Sequence, residues 1–474
     1  MKVCLLKPIP NNVFLANIVD DPWLEKYDAV IIGAGVAGLY LAYELGKRGF
    51  NAALVESKER SSIGDKTCGD AIGVHHFQEL GLNPPQDVID HKYRGVRIYA
   101  PDEKHYLDAI GEGISINRLR FGQWLLKLVL DSNVELLDNH IFVGLSIDKG
   151  YVQEIYVREK NSIVSKTIKS AVYVDASGVQ SVLRRKLPTD WIINDKILKS
   201  DFNITYREVI ELDKPLDIDN DYANIYLNKD IATGGYWWVF PKNRDGTVIN
   251  VGLGIIWSLN VNPKILFYKY IKPRFKGRVV HAGGGLVPTR RPLPTLVWRN
   301  VLVTGDAAYT VNPLHGGGIG SSMLASHILA KHLVETFSTN SVNEYTMWSA
   351  NIEYMDRYGA KQASLDVIRL FLQVLDNNDL LWIIEKQLVS SSEVYDLSYK
   401  GGLSDKIVKR FSLFIKTLSK PSLLDKLIHV KKYMDTLMEL YTTKYPASPN
   451  DLIRWIIDVD NVILDFKEKI SYPY

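Results

Sequence analysis

Cysteine is nearly absent: Cys4 and Cys68 are the only two in 474 residues, too few for a disulfide framework. Long apolar runs are missing as well. No window offers 18 uninterrupted apolar residues, so no helix is expected to span a bilayer. Neither sign of charge dominates; the formal net charge is +3, which gives no general case for a nucleic acid partner. Residues 1–26 place Pro8, Pro10, Asn11 and Asn12 in their only apolar region, so no signal-peptide core is expected there. That stretch reads as an arm or a cap on a sheet edge, and the cytoplasm as the expected compartment. No internal repeat, low-complexity tract or metal site is expected. Aromatics, by contrast, are plentiful. Ten Trp and 26 Tyr suit a large apolar cavity or a wet apolar surface, since both side chains join an apolar body to a polar tip.

The chain is organised around residues 27–56. Tyr27-Asp-Ala-Val-Ile-Ile-Gly33-Ala-Gly35-Val-Ala-Gly38 reads as a strand, a glycine turn and the start of a helix, and a second strand ends at Glu56. Gly33 allows the tight turn, Gly35 lets backbone approach a pyrophosphate, and Gly38 lets the helix pack closely on the sheet. Amides at the helix start face the phosphates, and a carboxylate at Glu56 can bind ribose hydroxyls. A second cluster, Gly305-Asp306 followed by Asn312-Pro-Leu-His315-Gly316-Gly317-Gly318-Ile319, precedes a helix over 321–337. Two anion-binding ends in one sheet domain suit a cofactor with phosphate at one end and a heteroaromatic ring at the other. FAD fits better than NAD alone.

Between them, the loop 57–73 carries Arg60 and Lys66-Thr-Cys68-Gly69-Asp70-Ala71, whose glycines suggest backbone lying against a ligand. A short hairpin is expected over 94–100 and 104–108, a helix over 116–130 with Arg118, Arg120 and Gln123 near its start, and strands over 140–158 and 164–174. Residues 200–290 read as an inserted antiparallel sheet, with strands at 202–209, 222–227, 236–240 and 248–256. There Tyr236, Trp238 and Phe240 share one face by the period of two, forming an aromatic wall that is either sheet core or the lining of an apolar site. From 341 the chain turns helical, with one strong amphipathic pattern over 354–375. Lys406, Lys409, Arg410, Lys416, Lys420, Lys426, Lys431 and Lys432, interleaved with apolar residues, are either a solvated face or a surface for an anionic membrane.

The expected architecture is therefore α/β (α+β): a Rossmann-like FAD-binding domain (27–90, 110–185 and 297–340), an antiparallel-sheet substrate domain (91–109 and 186–296) inserted in it, and a C-terminal helical region (341–474). The GxGxxG unit, Asp175-Ala-Ser-Gly178 and the Gly305-Asp306…Gly316-Gly-Gly318 segment together resemble the FAD-containing hydroxylase superfamily, which includes aromatic hydroxylases, flavin halogenases and geranylgeranyl reductases. Lys66-Thr-Cys68-Gly69-Asp70 and Tyr236-Trp-Trp238-Val-Phe240-Pro241 are similar to the geranylgeranyl reductases, specifically their archaeal branch acting on digeranylgeranyl phospholipids. Tyr206-Arg207-Glu208, Pro288-Thr-Arg-Arg-Pro292, Asn312-Pro-Leu-His315 and Gly359-Ala-Lys361-Gln-Ala-Ser-Leu365 fit it too, so the resemblance runs from about residue 27 to the C-terminus. The family's aromatic motif is written PxxYxWxFP; here Thr233 stands at the leading proline.

The resemblance implies FAD held by Val36 and its flanking glycines and by Glu56. Cys68, Gly69 and Ala71 would lie on the flavin side, Gln123 or Arg118 near the phosphates or adenosine, Asp306 at the ribityl or pyrophosphate region, and Gly318 and Ile319 at the isoalloxazine edge. Lipid tails would run along Tyr236, Trp238 and Phe240. Lys361, or else Arg290 and Arg291, would meet the anionic head group. The implied reaction saturates isoprenoid C=C bonds by hydride from reduced flavin plus a proton, with Cys68, Tyr206 and His315 as candidate donors. NADPH, NADH or ferredoxin would supply electrons, and a peripheral contact with the inner face of the membrane is compatible. A flavin monooxygenase or halogenase of the same fold, or a prenyl-lipid carrier without flavin, are the alternatives.

Overall fold

The computed structural model describes residues 26–196, 198–338, 341–401 and 421–473. Its first sheet centres on the strand Lys26–Ile32, paired in parallel with Ala52–Val55 on one side and Ser165–Asp175 on the other. Val134–Leu137 and Val301–Val303 extend the parallel array outward. These strands are apolar on both faces because both faces are covered. The helices Val36–Gly46 and Ile319–Phe337 pack on one another, and Arg118–Leu130 packs on the first of them. Asn117 caps that third helix, its side chain accepting from the Arg120 N–H at 3.1 Å.

The expected strand over 140–158 is a hairpin instead: His140–Asp148 and Tyr151–Glu159 pair antiparallel. The chain reverses at Lys149 and Gly150, both with positive φ (47° and 79°). A two-residue turn leaves hydrophobic alternation almost unbroken, which hides it from a periodicity reading.

The second sheet runs in the order Gly277–Pro288, Phe202–Leu212, Val248–Ile256, Tyr236–Pro241, Tyr222–Tyr226, Ile89–Tyr99, Tyr106–Ile116, Ala71–Gly73. All four expected strands within 200–290 are present. One joint departs from the antiparallel expectation, because Tyr222–Tyr226 pairs in parallel with Ile89–Tyr99. The short hairpin expected near 94–108 is also longer, two strands of 11 residues each with bulges at two points. Since Ala71–Gly73 closes this sheet, the loop carrying Cys68 passes directly from the first sheet to the second.

The C-terminal pattern expected as one helix is interrupted by a π-helical turn at Met355–Gly359, between Trp348–Tyr354 and Ala360–Val374. The helices Pro421–Tyr441 and Leu452–Lys469 bury Leu427, Leu437, Trp455 and Phe466 in the same core as the first sheet. Of the basic stretch, Lys406, Lys409, Arg410, Lys416 and Lys420 lie outside the described residues, as does the arm 1–25. Among the described residues no helix is long and apolar enough to cross a membrane.

Candidate cofactor and substrate site

Three glycines at the head of the first sheet do three different things. Gly33 sits at φ +104°, and a Cβ there would meet the Ala176 carbonyl oxygen at 2.5 Å. A Cβ on Gly38 would lie 1.9 Å from the Gly33 carbonyl oxygen, so the helix rests directly on the turn. A Cβ on Gly35, in contrast, meets nothing within 4 Å; it would project into open space in front of the helix. Gly35 is the N-cap of Val36–Gly46, with no side-chain cap and no acid in the first turn. The first amides are thus left for an external anion. Beside them the Glu56 carboxylate accepts from Ala34 N–H at 2.7 Å and Lys58 N–H at 2.8 Å.

Further along, a cleft of about 820 Å³ is lined by Arg60, Gln123, Asp138, His140 and Lys166. Gln123 braces the loop beneath it, its Nε2 donating to the Arg60 and Ile63 carbonyls at 2.9 and 2.8 Å. Arg118 has two buried donors, Nε and Nη1, with no hydrogen-bond partner among the described residues. A phosphate would satisfy them. The open position before Gly35, the uncapped helix and these orphan donors fit a dinucleotide. At the opposite end Asp306 sits against the second glycine cluster: a Cβ on Gly318 would stand 3.4 Å from its Oδ1, and Lys66 Nζ lies 3.2 Å from its Oδ2. Ile319 begins a 19-residue helix that also lacks a side-chain cap and an early acid.

The aromatic strand links these features. Tyr236, Trp238 and Phe240 do share one face, with successive ring centroids 6.0 Å apart. Gly254, Gly252 and Asn250 stand opposite them on the next strand, so the wall meets an almost bare floor. At one end the Tyr236 hydroxyl donates to the His315 carbonyl at 2.6 Å. At the other, a Cβ on Gly69 would lie 3.2 Å from the Phe240 ring. The wall therefore spans from the Gly316–Gly318 run to the Cys68 loop. Trp238 and Phe240 also pack with Tyr93, Ala223 and Ile225, so the same strand is core as well as wall.

The three candidate proton donors are not brought together. Cys68 and His315 both border the wall face: the Tyr236 hydroxyl, which donates to the His315 carbonyl, has its pKa raised by burial and then by the Cys68 thiol. Tyr206 belongs to the other face of the sheet, in the cluster with Trp237, Leu253 and Phe267. Its hydroxyl donates to Glu208 Oε1 at 3.1 Å. The period of two decides this, because its neighbour Arg207 takes the wall side opposite Gly252. His315 Nδ1 accepts from Gly317 N–H at 3.1 Å, which leaves the ring proton on Nε2. Burial, then Lys361, lowers its pKa to about 4.

Lys361 opens the helix Ala360–Val374, its Nζ 4.2 Å from the Tyr358 ring centroid. Burial lowers its pKa to about 8. Its positive field also reaches His75 and His76, whose tilted rings have centroids 4.0 Å apart, and burial followed by His75 and Lys361 takes His76 to about 3. The two arginines expected as alternatives are engaged elsewhere. Arg290 pairs with Asp195 and, at 3.2 Å, with Asp201; Arg291 pairs with Asp460 at 2.6 Å and Asp366 at 3.6 Å.

Residues 201–287 match the model of the geranylgeranyl reductase catalytic domain, and residues 28–193 that of lycopene cyclase protein. The chain is 37% identical over 452 residues to the digeranylgeranylglycerophospholipid reductase of Sulfolobus acidocaldarius, covering 94% of this chain and 99% of that one. It belongs to the geranylgeranyl reductase family. Among solved structures, a geranylgeranyl bacteriochlorophyll reductase-like protein from Thermoplasma acidophilum superposes with TM-score 0.72 at 21% identity, covering 87% of this chain and 99% of that one. The FAD-dependent chondrochloren halogenase from a myxobacterium shares the fold at TM-score 0.62 and 15% identity, covering 90% and 99%.

In this geranylgeranyl reductase family member, sequence reasoning missed two polar residues on the wall face, Arg207 and Asn250. Both reach the Cys68 loop, Arg207 Nε and Asn250 Nδ2 donating to the Cys68 carbonyl at 3.1 and 2.8 Å. A polar residue in the middle of an apolar strand is the signal that points to such a role, since burial demands a partner.

Proposed function

We propose that this protein is an FAD-dependent reductase that saturates C=C bonds of geranylgeranyl chains in archaeal membrane phospholipids or their precursors. The observation that carries this is the wall of Tyr236, Trp238 and Phe240, which runs between the glycine run at 316–318 and the Cys68 loop beside an uncapped dinucleotide cradle. End-to-end likeness to a phospholipid reductase supports the same reading. Val36, Gly33, Gly35, Gly38 and Glu56 would hold the pyrophosphate and ribose of FAD, and Gln123 or Arg118 would serve the phosphates or adenosine. Asp306 would serve the ribityl or pyrophosphate region, Gly318 and Ile319 the isoalloxazine edge, and Cys68, Gly69 and Ala71 the flavin side. When bound and reduced, FAD supplies hydride.

The chain's own residues do the rest. An isolated alkene has no carbonyl to store charge, so positive charge develops on one carbon as the proton reaches the other, and hydride then removes it. The faces of Trp238 and Phe240 stabilise it through their quadrupoles. Their burial keeps the site dry. The proton comes from Cys68 Sγ, or from His315 in the small protonated fraction that its pKa of about 4 allows. Lys361 holds the anionic head group. Electrons come from NADPH, NADH or ferredoxin, and the protein meets its lipid at the inner membrane surface.

The test is anaerobic. The protein is reduced with dithionite and mixed with a digeranylgeranyl phospholipid. Flavin reoxidation without oxygen, with lipid mass rising by two hydrogens per event, is the expected result. Reoxidation only when oxygen enters would replace this reading with a monooxygenase, and a protein unable to take up FAD would leave a lipid carrier.

A further inference from the structure

Cys68 has no helix or strand of its own to fix it. It lies in the loop between the two sheets, where Asp70 adopts φ 65°, a conformation that is strained for a residue with a side chain. Something outside the loop must hold it. Its carbonyl accepts two hydrogen bonds, both from side chains on the wall face: Arg207 Nε at 3.1 Å and Asn250 Nδ2 at 2.8 Å.

Neither donor is isolated. Asn250 Nδ2 also donates to Asp70 Oδ2 at 3.0 Å, while Asn250 Oδ1 accepts from Trp238 Nε1 at 3.1 Å. One amide thus ties the ring of the wall to the Cys68 carbonyl and to the Asp70 carboxylate. Asp70, only 3% exposed, is held further by Lys242 Nζ at 3.1 Å. Its own N–H donates to Cys68 Sγ at 3.3 Å. Arg207, also 3% exposed, is anchored from the outer edge: Nη1 donates to His281 Nδ1 at 2.8 Å, and His281 Nε2 faces Asp65 Oδ1 at 3.2 Å. Asp65 lies three residues earlier in the same loop. The chain of contacts leaves the loop at Asp65, crosses two strands and returns at Cys68.

Sheet geometry makes this possible. Arg207 and Trp238 both stand opposite Gly252, where a Cβ would meet Arg207 Cβ at 2.5 Å and the Trp238 ring at 2.6 Å. A bare position between them lets the guanidinium and the indole lie on one floor beneath the loop.

We propose that Arg207 and Asn250 are positioning residues that fix the Cys68 thiol against the aromatic wall, with His281 and Asp65 aiming Arg207. This rests on the reductase reading only for what the thiol then does. The test reads the thiol itself, without lipid. In a Cys4→Ser background Cys68 is the sole thiol, and its alkylation by iodoacetamide is followed by mass spectrometry of the purified full chain. Losing a charged donor to the carbonyl frees the loop, so Arg207→Gln should raise the alkylation rate by about tenfold. Asn250→Asp, nearly the same shape, withdraws two donors and sets a carboxylate beside Asp70, so it should do the same. Arg207→Lys, which keeps one charged donor, should recover most of the slow rate, an outcome a purely packing role would not give. Each is read with the unfolding midpoint unchanged. If Arg207→Gln does not fold, His281→Ala at the exposed edge decides, with a several-fold rise expected. Rates within twofold of the parent in Asn250→Asp and in whichever of Arg207→Gln or His281→Ala folds overturn the proposal. Full lipid turnover by Cys68→Ser would instead remove the thiol from the reaction and leave the alkylation result standing.

Discussion

At the scale of single residues, the glycine motif separates two demands that its spacing alone cannot. Gly38→Ala sets helix propensity, worth about 1 kcal/mol in favour of alanine, against overpacking, which costs about 1–3 kcal/mol. A Cβ at 1.9 Å from a backbone oxygen cannot relax by rotating a side chain, so the clash wins. Gly38→Ala should lower the unfolding midpoint. Gly35→Ala should leave it alone, because φ is −70° and the new methyl meets nothing. It should nevertheless abolish flavin uptake, measured by fluorescence titration of the apoprotein. Lys361 gives a pH signature. Its folded pKa of about 8 lies below the ordinary lysine value of 10.5, so burial of the charged form costs stability below pH 8 and the cost is relieved as pH rises from there. The same charge attracts the head group, so KM for phospholipid should rise above about pH 8 while kcat changes less. Lys361→Ala should remove the inflection with a high KM, and Lys361→Arg should remove it with a low one. The places of Glu56 and Asp306 in the fold were legible, because each follows a strand beside its own glycines. Arg207 and Asn250 were not, since their role depends on which strand lies opposite which.

Elements were legible where periodicity is long and local, and obscured where one residue changes the register. The wall strand was visible from alternation; the hairpin turn at Lys149 and Gly150 and the π-turn at Met355–Gly359 were not, because each preserves the apolar pattern. The entry to the wall shows how an element can replace a missing residue. Where the family motif has proline, this chain has Thr233, whose hydroxyl donates to the Lys229 carbonyl at 2.6 Å. Gly234 follows at φ 74°, its carbonyl accepting from Gln373 Nε2 at 2.9 Å. Gln373 sits at the end of the helix Ala360–Val374, and its backbone carbonyl takes Lys229 Nζ at 2.6 Å. A helix terminus therefore restrains a turn that proline would have stiffened. Gln373→Ala should leave the half-buried Gly234 carbonyl with only the longer bond from Asn203 Nδ2, at 3.4 Å, and cost about 1 kcal/mol, read from the denaturant midpoint. Thr233→Ala should cost less, since it breaks a contact within the turn alone.

Across the whole molecule, the arginines that resemble a head-group site turn out to join its parts. Arg290 and Arg291 lie just after the edge strand of the second sheet; Asp195 and Asp201 come from the link between the sheets, and Asp366 and Asp460 from two C-terminal helices. Arg369 adds a 2.7 Å pair to Asp366. Burial alone would raise the Asp195 and Asp366 carboxyls, yet facing guanidiniums, Arg290 for the first and Arg369 and Arg291 for the second, hold both below the ordinary range. Groups with depressed folded pKa values stabilise above their unfolded pKa and lose that contribution as pH falls through the folded value. The unfolded reference for both is 3.8, so the network should hold at neutral pH and weaken progressively below about pH 4. Removing one partner is worse than protonating it. Arg290→Met strands Asp201, itself nearly buried, and should cost about 3–5 kcal/mol. The double variant Arg290→Met with Asp201→Asn should recover part of that loss, because Asp201 is no longer a buried charge left alone, while Asp195, which also loses Arg290, keeps the recovery incomplete. Urea unfolding at neutral pH and near pH 3 separates these effects: the acid-sensitive part of the parent's stability should be smaller in the double variant. If the single and double variants lose equal stability, the arginine contributes by packing on the Tyr309 ring, 4.5 Å from its guanidinium, and not by charge.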